Sequence, residues 1–221
     1  MDRSRHAGIY NISPYMLVTL IGAGGIGSIT AVTLAKMGVR FLEIWDGDRV
    51  EPINVATQLH ETMSVGQWKV DSTGLLVRKF SDDTKINLVN TNVHSQCLFS
   101  NPEIIISAVD SISARQEIWG AVRHCAAKWY LDARMSAEVF QLYVVNLHDS
   151  EAWHSYNDVI MGTCDADVPD VVCTEKATFY CADFAAGHVG AAVKRIVTGD
   201  PKSYRVVHYI ATNTLHELEL S

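Results

Sequence analysis

The tightest constraint in this chain is the glycine run Gly22-Ala23-Gly24-Gly25-Ile26-Gly27. It follows the apolar stretch 17–21, LVTLI, and opens a stretch with Ile26, Ile29, Val32, Leu34 and Ala35 at helical spacing, closed by Gly38. A strand that turns through glycines directly into a helix is the setting of a nucleotide-binding loop. Gly22 permits the tight turn, Gly24 lets backbone approach a phosphate, and Gly27 lets helix pack on strand. The helix N-terminus adds unpaired N–H donors and the positive end of the helix dipole. Asp46 closes the next apolar run, 41–45, where a carboxylate accepts ribose hydroxyls.

Strand and helix patterns alternate beyond that point. The spacing predicts a helix over 64–80, strands over 86–93 and 104–109, a helix over 111–128 and a strand over 129–132. Such alternation predicts a Rossmann-like, doubly wound α/β fold, with a mostly parallel sheet and helices on both faces. The pattern then changes. Residues 139–147, VFQLYVVNL, form a long β-rich run with no helix close behind, which suggests an antiparallel C-terminal extension. Residues 148–174 are acidic and read as an irregular loop, and loops of that length are usually functional. A core helix is expected over 176–197, and strands over 204–210 and 214–220. No repeat or linker divides the 221 residues, so one domain is expected, with residues 1–14 as an N-terminal arm.

Composition narrows the function classes. Hydrophobic residues make up 48%, and 18 Lys and Arg stand against 25 Asp and Glu, a net charge of −7. That balance argues against a nucleic-acid or anionic-membrane binder. No membrane-length apolar run and no signal-peptide core is read. The cysteines, Cys97, Cys125, Cys164, Cys173 and Cys181, are odd in number and lack CxxC spacing, which favours reduced thiols and a cytoplasmic location.

A glycine loop with a carboxylate also suits a nicotinamide oxidoreductase. Further residues separate the two. Asp46-Gly47-Asp48-Arg49-Val50-Glu51-Pro52-Ile53-Asn54-Val55-Ala56-Thr57-Gln58 is followed by Val65-Gly66-Gln67-Trp68-Lys69, and later by Val109-Asp110 with Arg115 five residues on. In order and spacing these segments resemble the ThiF/MoeB/HesA family, adenylating enzymes related to ubiquitin-activating enzymes. The family pattern is GxGGxG, DxDxVxxxNxxRQ, VGxxK, and a strand ending in Asp with an Arg five residues on. The resemblance covers roughly residues 14–221.

It implies ATP-dependent adenylation of a carboxylate, with magnesium and usually with a homodimeric enzyme. The usual substrate is the Gly-Gly tail of a small ubiquitin-like or sulfur-carrier protein. By position, Gly24 and Gly25 would lie under the nucleotide. Asp46 matches the ribose carboxylate, Asn54 the phosphate-side asparagine and Lys69 the phosphate lysine. Asp110 matches the carboxylate linked to magnesium and catalysis. Gln58 is kept from the motif and counted on the nucleotide side, as is Asp48, which reads equally well as a cap of its loop. Arg115 reads as the partner of a carboxylate rather than a nucleotide contact. Arg134 follows the fifth strand and fits either phosphate or tail binding or a structural salt bridge. Cys173 matches a cysteine that several members use as a thioester or persulfide, while a buried structural thiol fits equally. Cys181 reads as core.

Three departures stand out. The motif arginine is Thr57 here, so one cation is missing, with Arg49 or Arg134 as possible substitutes. An N-terminal arginine donated across the dimer is matched only by Arg3 or Arg5 in unrelated sequence. The paired CxxC motifs of zinc-holding members are absent, and no zinc is expected. An adenylyltransferase is the first reading. A weakly active or inactive binding module that pairs with a carrier or partner subunit is the second. A nicotinamide oxidoreductase is the third, since it has no use for Asn54, Lys69 and Asp110 together.

Overall fold

The computed structural model describes residues 2–165, 177–200 and 202–220. Its strands are β1 (Leu17–Ile21), β2 (Phe41–Trp45), β3 (Lys85–Val89), β4 (Ile104–Ser107), β5 (Trp129–Ser136), β6 (Val139–Asn146), β7 (Tyr204–Tyr209) and β8 (Thr214–Glu219). Its helices are α1 (Gly25–Met37), α2 (Lys69–Phe80), α3 (Ile112–Val122), α4 (Ser150–Met161) and α5 (Phe179–Val197). The strands join in one eight-stranded sheet in the order β3-β2-β1-β4-β5-β6-β7-β8. Neighbours from β3 to β5 are parallel, and neighbours from β5 to β8 are antiparallel. The doubly wound sheet with a C-terminal antiparallel extension is therefore present.

The order reverses between β1 and β4. In open α/β sheets, the crevice at the C-terminal ends of two such strands is where ligands bind. Central β4 has the sequence IIIS and is buried along its whole length, as expected of a parallel strand covered on both faces. α1, α2 and α5 cover one face, with Ile26, Leu34, Val77, Ala185 and Val189 in the core. α3 and α4 cover the other, around Ile118, Trp119, Tyr156 and Ile160. Trp119 is fully buried, with ring centroids 4.8 Å from Tyr156 and 5.3 Å from Tyr130. Burial of each such side chain stabilises the fold by roughly 1.5–3 kcal/mol. α1 packs closely on α5. A side-chain carbon at Gly190 would meet Thr33 at 3.1 Å and Met37 at 3.2 Å.

Several expected boundaries shift. The helix expected over 64–80 starts at Lys69, because a 3-10 turn at Thr62–Ser64 precedes it. The strand expected over 86–93 is Lys85–Val89, the helix expected over 111–128 ends at Val122, and the helix expected from 176 begins at Phe179. The strand expected over 129–132 runs on to Ser136, because β6 continues to pair with it past the end of β4. The irregular loop expected over 148–174 needs the larger correction: its first part is α4. Asp149 caps that helix, accepting hydrogen bonds from the backbone N–H groups of Glu151 and Ala152. Ala152, Tyr156 and Ile160 form its buried stripe. Residues 166–176, Cys173 among them, lie outside the described residues.

Candidate nucleotide crevice

The glycine loop is shaped almost entirely by backbone. Gly22 has φ 95°, which a residue with a side chain rarely adopts, and its N–H donates to the Trp45 carbonyl at 2.8 Å. A carbon added at Gly22 would lie 2.6 Å from the Ala108 carbonyl oxygen of the segment after β4, and one at Gly27 would lie 1.9 Å from the Gly22 oxygen. These two glycines hold turn, strand and helix together. Gly24 and Gly25 differ. A carbon at Gly24 would first meet the Gln58 side chain, at 3.7 Å, and one at Gly25 would meet Thr57, Met135 and Ala182 at 3.4, 3.5 and 3.7 Å. The N-cap, Gly24, offers no side chain to cap α1 and no acid occupies its first turn, so among the described residues its first N–H groups remain available to an anion.

Asp46 organises the loop rather than only waiting for a ligand. One carboxylate oxygen accepts from Ala23 N–H at 2.7 Å and the other from Asp48 N–H at 2.8 Å. Each oxygen keeps a second lone pair for a ligand hydroxyl. Burial raises its pKa above the ordinary value, against the pull of those two N–H bonds. Asn54 turns its side-chain oxygen inward to accept Glu51 N–H at 2.8 Å, capping a 3-10 turn and leaving its amide nitrogen as the group able to donate outward. The Gln58 side-chain oxygen is buried without a hydrogen-bond partner among the described residues, and His60 follows two residues on. The buried His60 ring bridges the Ala23 carbonyl and the Ser72 hydroxyl, both at 2.9 Å, tying the loop to α2. Burial lowers its pKa, so the neutral ring is favoured. A lone histidine carries no sequence period, and nothing in the sequence pointed to it.

Lys69 opens α2, and its ammonium contacts the Asp48 carboxylate at 2.8 Å. The Asp48 side chain is 62% exposed and that of Lys69 12%. Arg49 lies beside them but is engaged, with its guanidinium 3.8 Å above the Trp68 ring and donating to the Gly66 carbonyl at 2.7 Å. Arg49 is therefore a poor replacement for the arginine missing at Thr57. Arg3 donates to Asp83 at 2.6 and 2.7 Å and to the Ala35 carbonyl. Those contacts lie at the opposite end of the sheet, below Gly38, and fasten Arg3 to its own chain.

Asp110 is exposed just beyond β4. The backbone before it is locked by buried Arg115, which donates to the Val109 and Ala133 carbonyls and pairs with Asp132, as a carboxylate-orienting residue should. Asp132 is fully buried and also accepts from Arg134 Nε at 2.7 Å and from the Tyr156 hydroxyl at 2.8 Å. Burial pushes the Asp132 pKa up, and the two guanidiniums more than reverse that, so it lies below the usual carboxylate range. After Asp110, the N-terminus of α3 holds an unforeseen internal ligand. Asp165 accepts from the N–H groups of Ile112 at 2.6 Å and Ser113 at 3.3 Å.

Cys181 is buried in α5, which pushes its thiol up to about 11 and fits its reading as core. Among the described residues, no group of three or more His, Cys, Asp and Glu side chains is arranged to hold a metal, and no helix is long and apolar enough to cross a membrane.

A family model described as the ThiF family matches residues 6–220. The chain belongs to the ThiF family. It is 27% identical to the ubiquitin-like modifier-activating enzyme 5 of Bombyx mori over 51% of this chain and 32% of that protein. It is 42% identical to the adenylyltransferase and sulfurtransferase MOCS3 of Oryza sativa subsp. japonica over 42% of this chain and 22% of that protein. The chain thus spans a third or less of the length of these curated relatives. Among solved structures, E. coli MccB with ATP superposes with a TM-score of 0.73 at 17% identity, over 94% of this chain and 64% of its own. That likeness is one of fold.

Proposed function

We propose that this chain binds magnesium-ATP across the glycine loop and adenylates a carboxylate at the end of a ubiquitin-like or sulfur-carrier protein or a peptide. The observation that carries this reading is the N-terminus of α1, which has no side-chain cap at Gly24 and where Gly24 and Gly25 are half-buried, together with Lys69 at the start of α2 and exposed Asp110 in the segment after β4. The relatives named as adenylyltransferase and as modifier-activating enzyme support it. Asp46 takes the ribose hydroxyls, while Asn54 and Lys69 meet phosphate oxygens. The incoming carboxylate oxygen bonds to the α-phosphorus as the bond from that phosphorus to the bridging oxygen breaks, and pyrophosphate leaves. The protein's share is to align that attack and to neutralise the charge of the leaving group.

The exposed Asp110 carboxylate is a hard oxygen donor chemically suited to a hydrated cation, and it is the residue that would hold one. Magnesium supplies charge neutralisation between phosphate oxygens when bound. Cys173 remains the candidate for onward transfer to a thioester or persulfide, and a homodimer the candidate assembly.

A binding-only module is the second reading, favoured by Thr57, whose carbonyl sits against Gly25 where the family motif has an arginine. Equilibrium binding of magnesium-ATP, NAD and NADP to the wild type and to Asp110→Ala tests the first reading. Selective ATP binding, altered by the substitution, is expected, followed by carrier-dependent pyrophosphate exchange. A preference for NAD or NADP sinks the adenylation mechanism, and ATP binding without exchange selects the binding module.

A further inference from the structure

The cluster at the end of β5 is charged out of balance. Arg115 and Arg134 share one buried carboxylate, Asp132, whose other contact is the neutral Tyr156 hydroxyl. Arg134 uses Nε on Asp132 at 2.7 Å, while its Nη2 is buried with no hydrogen-bond partner among the described residues. A second guanidinium reinforces the excess. Arg134 and Arg205 both lie over the Tyr143 ring, at 4.8 and 5.2 Å; Arg205 donates from Nη2 to the Gln141 side-chain oxygen at 3.1 Å, and its buried Nε has no partner among the described residues. A buried N–H left without an acceptor is costly, and a guanidinium in particular favours a planar oxyanion.

The place is also informative. β5 overruns β4 by the residues after Asp132, so Arg134 stands on the antiparallel part of the sheet, beside β6, beyond the C-terminal end of β4. Its neighbour Met135 reaches Gly25 at the glycine loop, and Arg115 links Asp132 to the Val109 carbonyl next to Asp110. Side chains alternate along β5, so Asp132 and Arg134 share the α3–α4 face while Met135 faces α5.

From these observations we infer that Arg134 is a substrate-contacting residue whose Nη2 binds an oxyanion in the crevice beside Asp110, with Asp132 and Arg115 as positioning residues that fix its guanidinium. The inference rests on the adenylation reading for the identity of the oxyanion, which is either a nucleotide phosphate or the carboxylate of the incoming tail. It gives the chain the cation that Thr57 does not supply.

Calorimetric titration of the wild type, Arg134→Gln and Arg134→Lys tests it, with three probes: magnesium-ATP, inorganic pyrophosphate, and a short peptide ending in Gly-Gly added to protein saturated with a non-hydrolysable ATP analogue. Arg134→Gln is expected to weaken one class of oxyanion roughly 10- to 100-fold, the loss of a charge-assisted hydrogen bond, with Arg134→Lys in between. Loss of ATP and pyrophosphate makes the ligand a phosphate, and loss of peptide alone makes it the tail carboxylate. Wild-type affinity for all three probes in a folded Arg134→Gln overturns the inference, as does a wild type that binds none of them. Should Arg134→Gln not fold, Arg134→Lys retains the charge beside Asp132 and decides by the same readings. A wild type that binds pyrophosphate through Arg134 but not ATP sinks the adenylation reading and keeps the anion site. A wild type that binds ATP, with ATP, pyrophosphate and peptide binding all indifferent to both substitutions, does the reverse.

Discussion

Two ionic centres flank the crevice, and they differ chiefly in water. On the β2 side, Lys69 and Asp48 meet at 2.8 Å with the carboxylate 62% exposed. On the β5 side, Arg115, Arg134 and Asp132 meet with the carboxylate fully buried. Solvent screens the exposed carboxylate of the first pair, so Asp48 can release the largely buried Lys69 to a phosphate at little cost. Removing one member of the second leaves charge stranded where water does not reach. The exposed centre is suited to being rearranged by a ligand and the buried one to holding geometry.

The sharpest way to break that contrast is Asp132→Ala. It leaves the Arg115 and Arg134 guanidiniums without their shared carboxylate, and about 3–5 kcal/mol of stability should be lost. For a chain of this size the melting temperature should then fall by roughly 10 °C. A change of only a degree or two would show that the buried cluster is as rearrangeable as the exposed pair. Next comes His60→Ala, which strips the Ala23 carbonyl and Ser72 hydroxyl of their shared partner and should cost about 1–3 kcal/mol in chemical denaturation.

The same histidine gives a pH test. Its folded pKa is lowered from 6.5, so below that value the unfolded chain takes up a proton that the folded chain resists. Stability should therefore decline as pH falls below about 6.5, and the slope should be reduced in His60→Ala. A slope unchanged by the substitution assigns it to other groups. Asp132 has the lowered pKa of an ion-paired acid. Its contribution is present above the ordinary carboxylate value and is lost only as pH falls towards the folded one. The two limbs of an acid titration should thus be separable.

The exposed centre should give the smallest structural effects. Lys69→Ala should leave stability within about 1 kcal/mol of wild type. It should nevertheless weaken magnesium-ATP by roughly tenfold, the loss of one charge-assisted contact. Asp48→Ala should leave the melting temperature nearly unchanged, and equal or tighter ATP binding would show that Asp48 only occupies Lys69 until the nucleotide arrives. A large loss of stability in either variant would erase the distinction between the two centres.

What was legible in the sequence follows the same division between local and distant. Glycines between an apolar strand and an apolar helix have few structural solutions, so the loop and the central strands could be read from spacing. Arg115 could be assigned a carboxylate partner, although its identity, Asp132, is set by a crossover from α3 to β5. α4 was hidden by its own polarity. Its acids drew attention away from the Ala152, Tyr156 and Ile160 stripe, and the Asp149 cap could have revealed it. His60 and Asp165 were illegible for another reason. Each is defined by a backbone group far along the chain, Ala23 or Ile112, and no local pattern marks such a pairing.

The close fit of α1 against α5 also bears on the order in which the molecule can form. The helix that begins at the glycine loop buries its apolar face against one from the last quarter of the sequence, through the close approach of Thr33 and Met37 to Gly190. Contacts so distant along the chain slow folding. On the ribosome, the glycine loop therefore emerges long before its support. Until Phe179–Val197 is synthesised, the outward side of α1 is an exposed apolar surface, open to chaperones and to self-association.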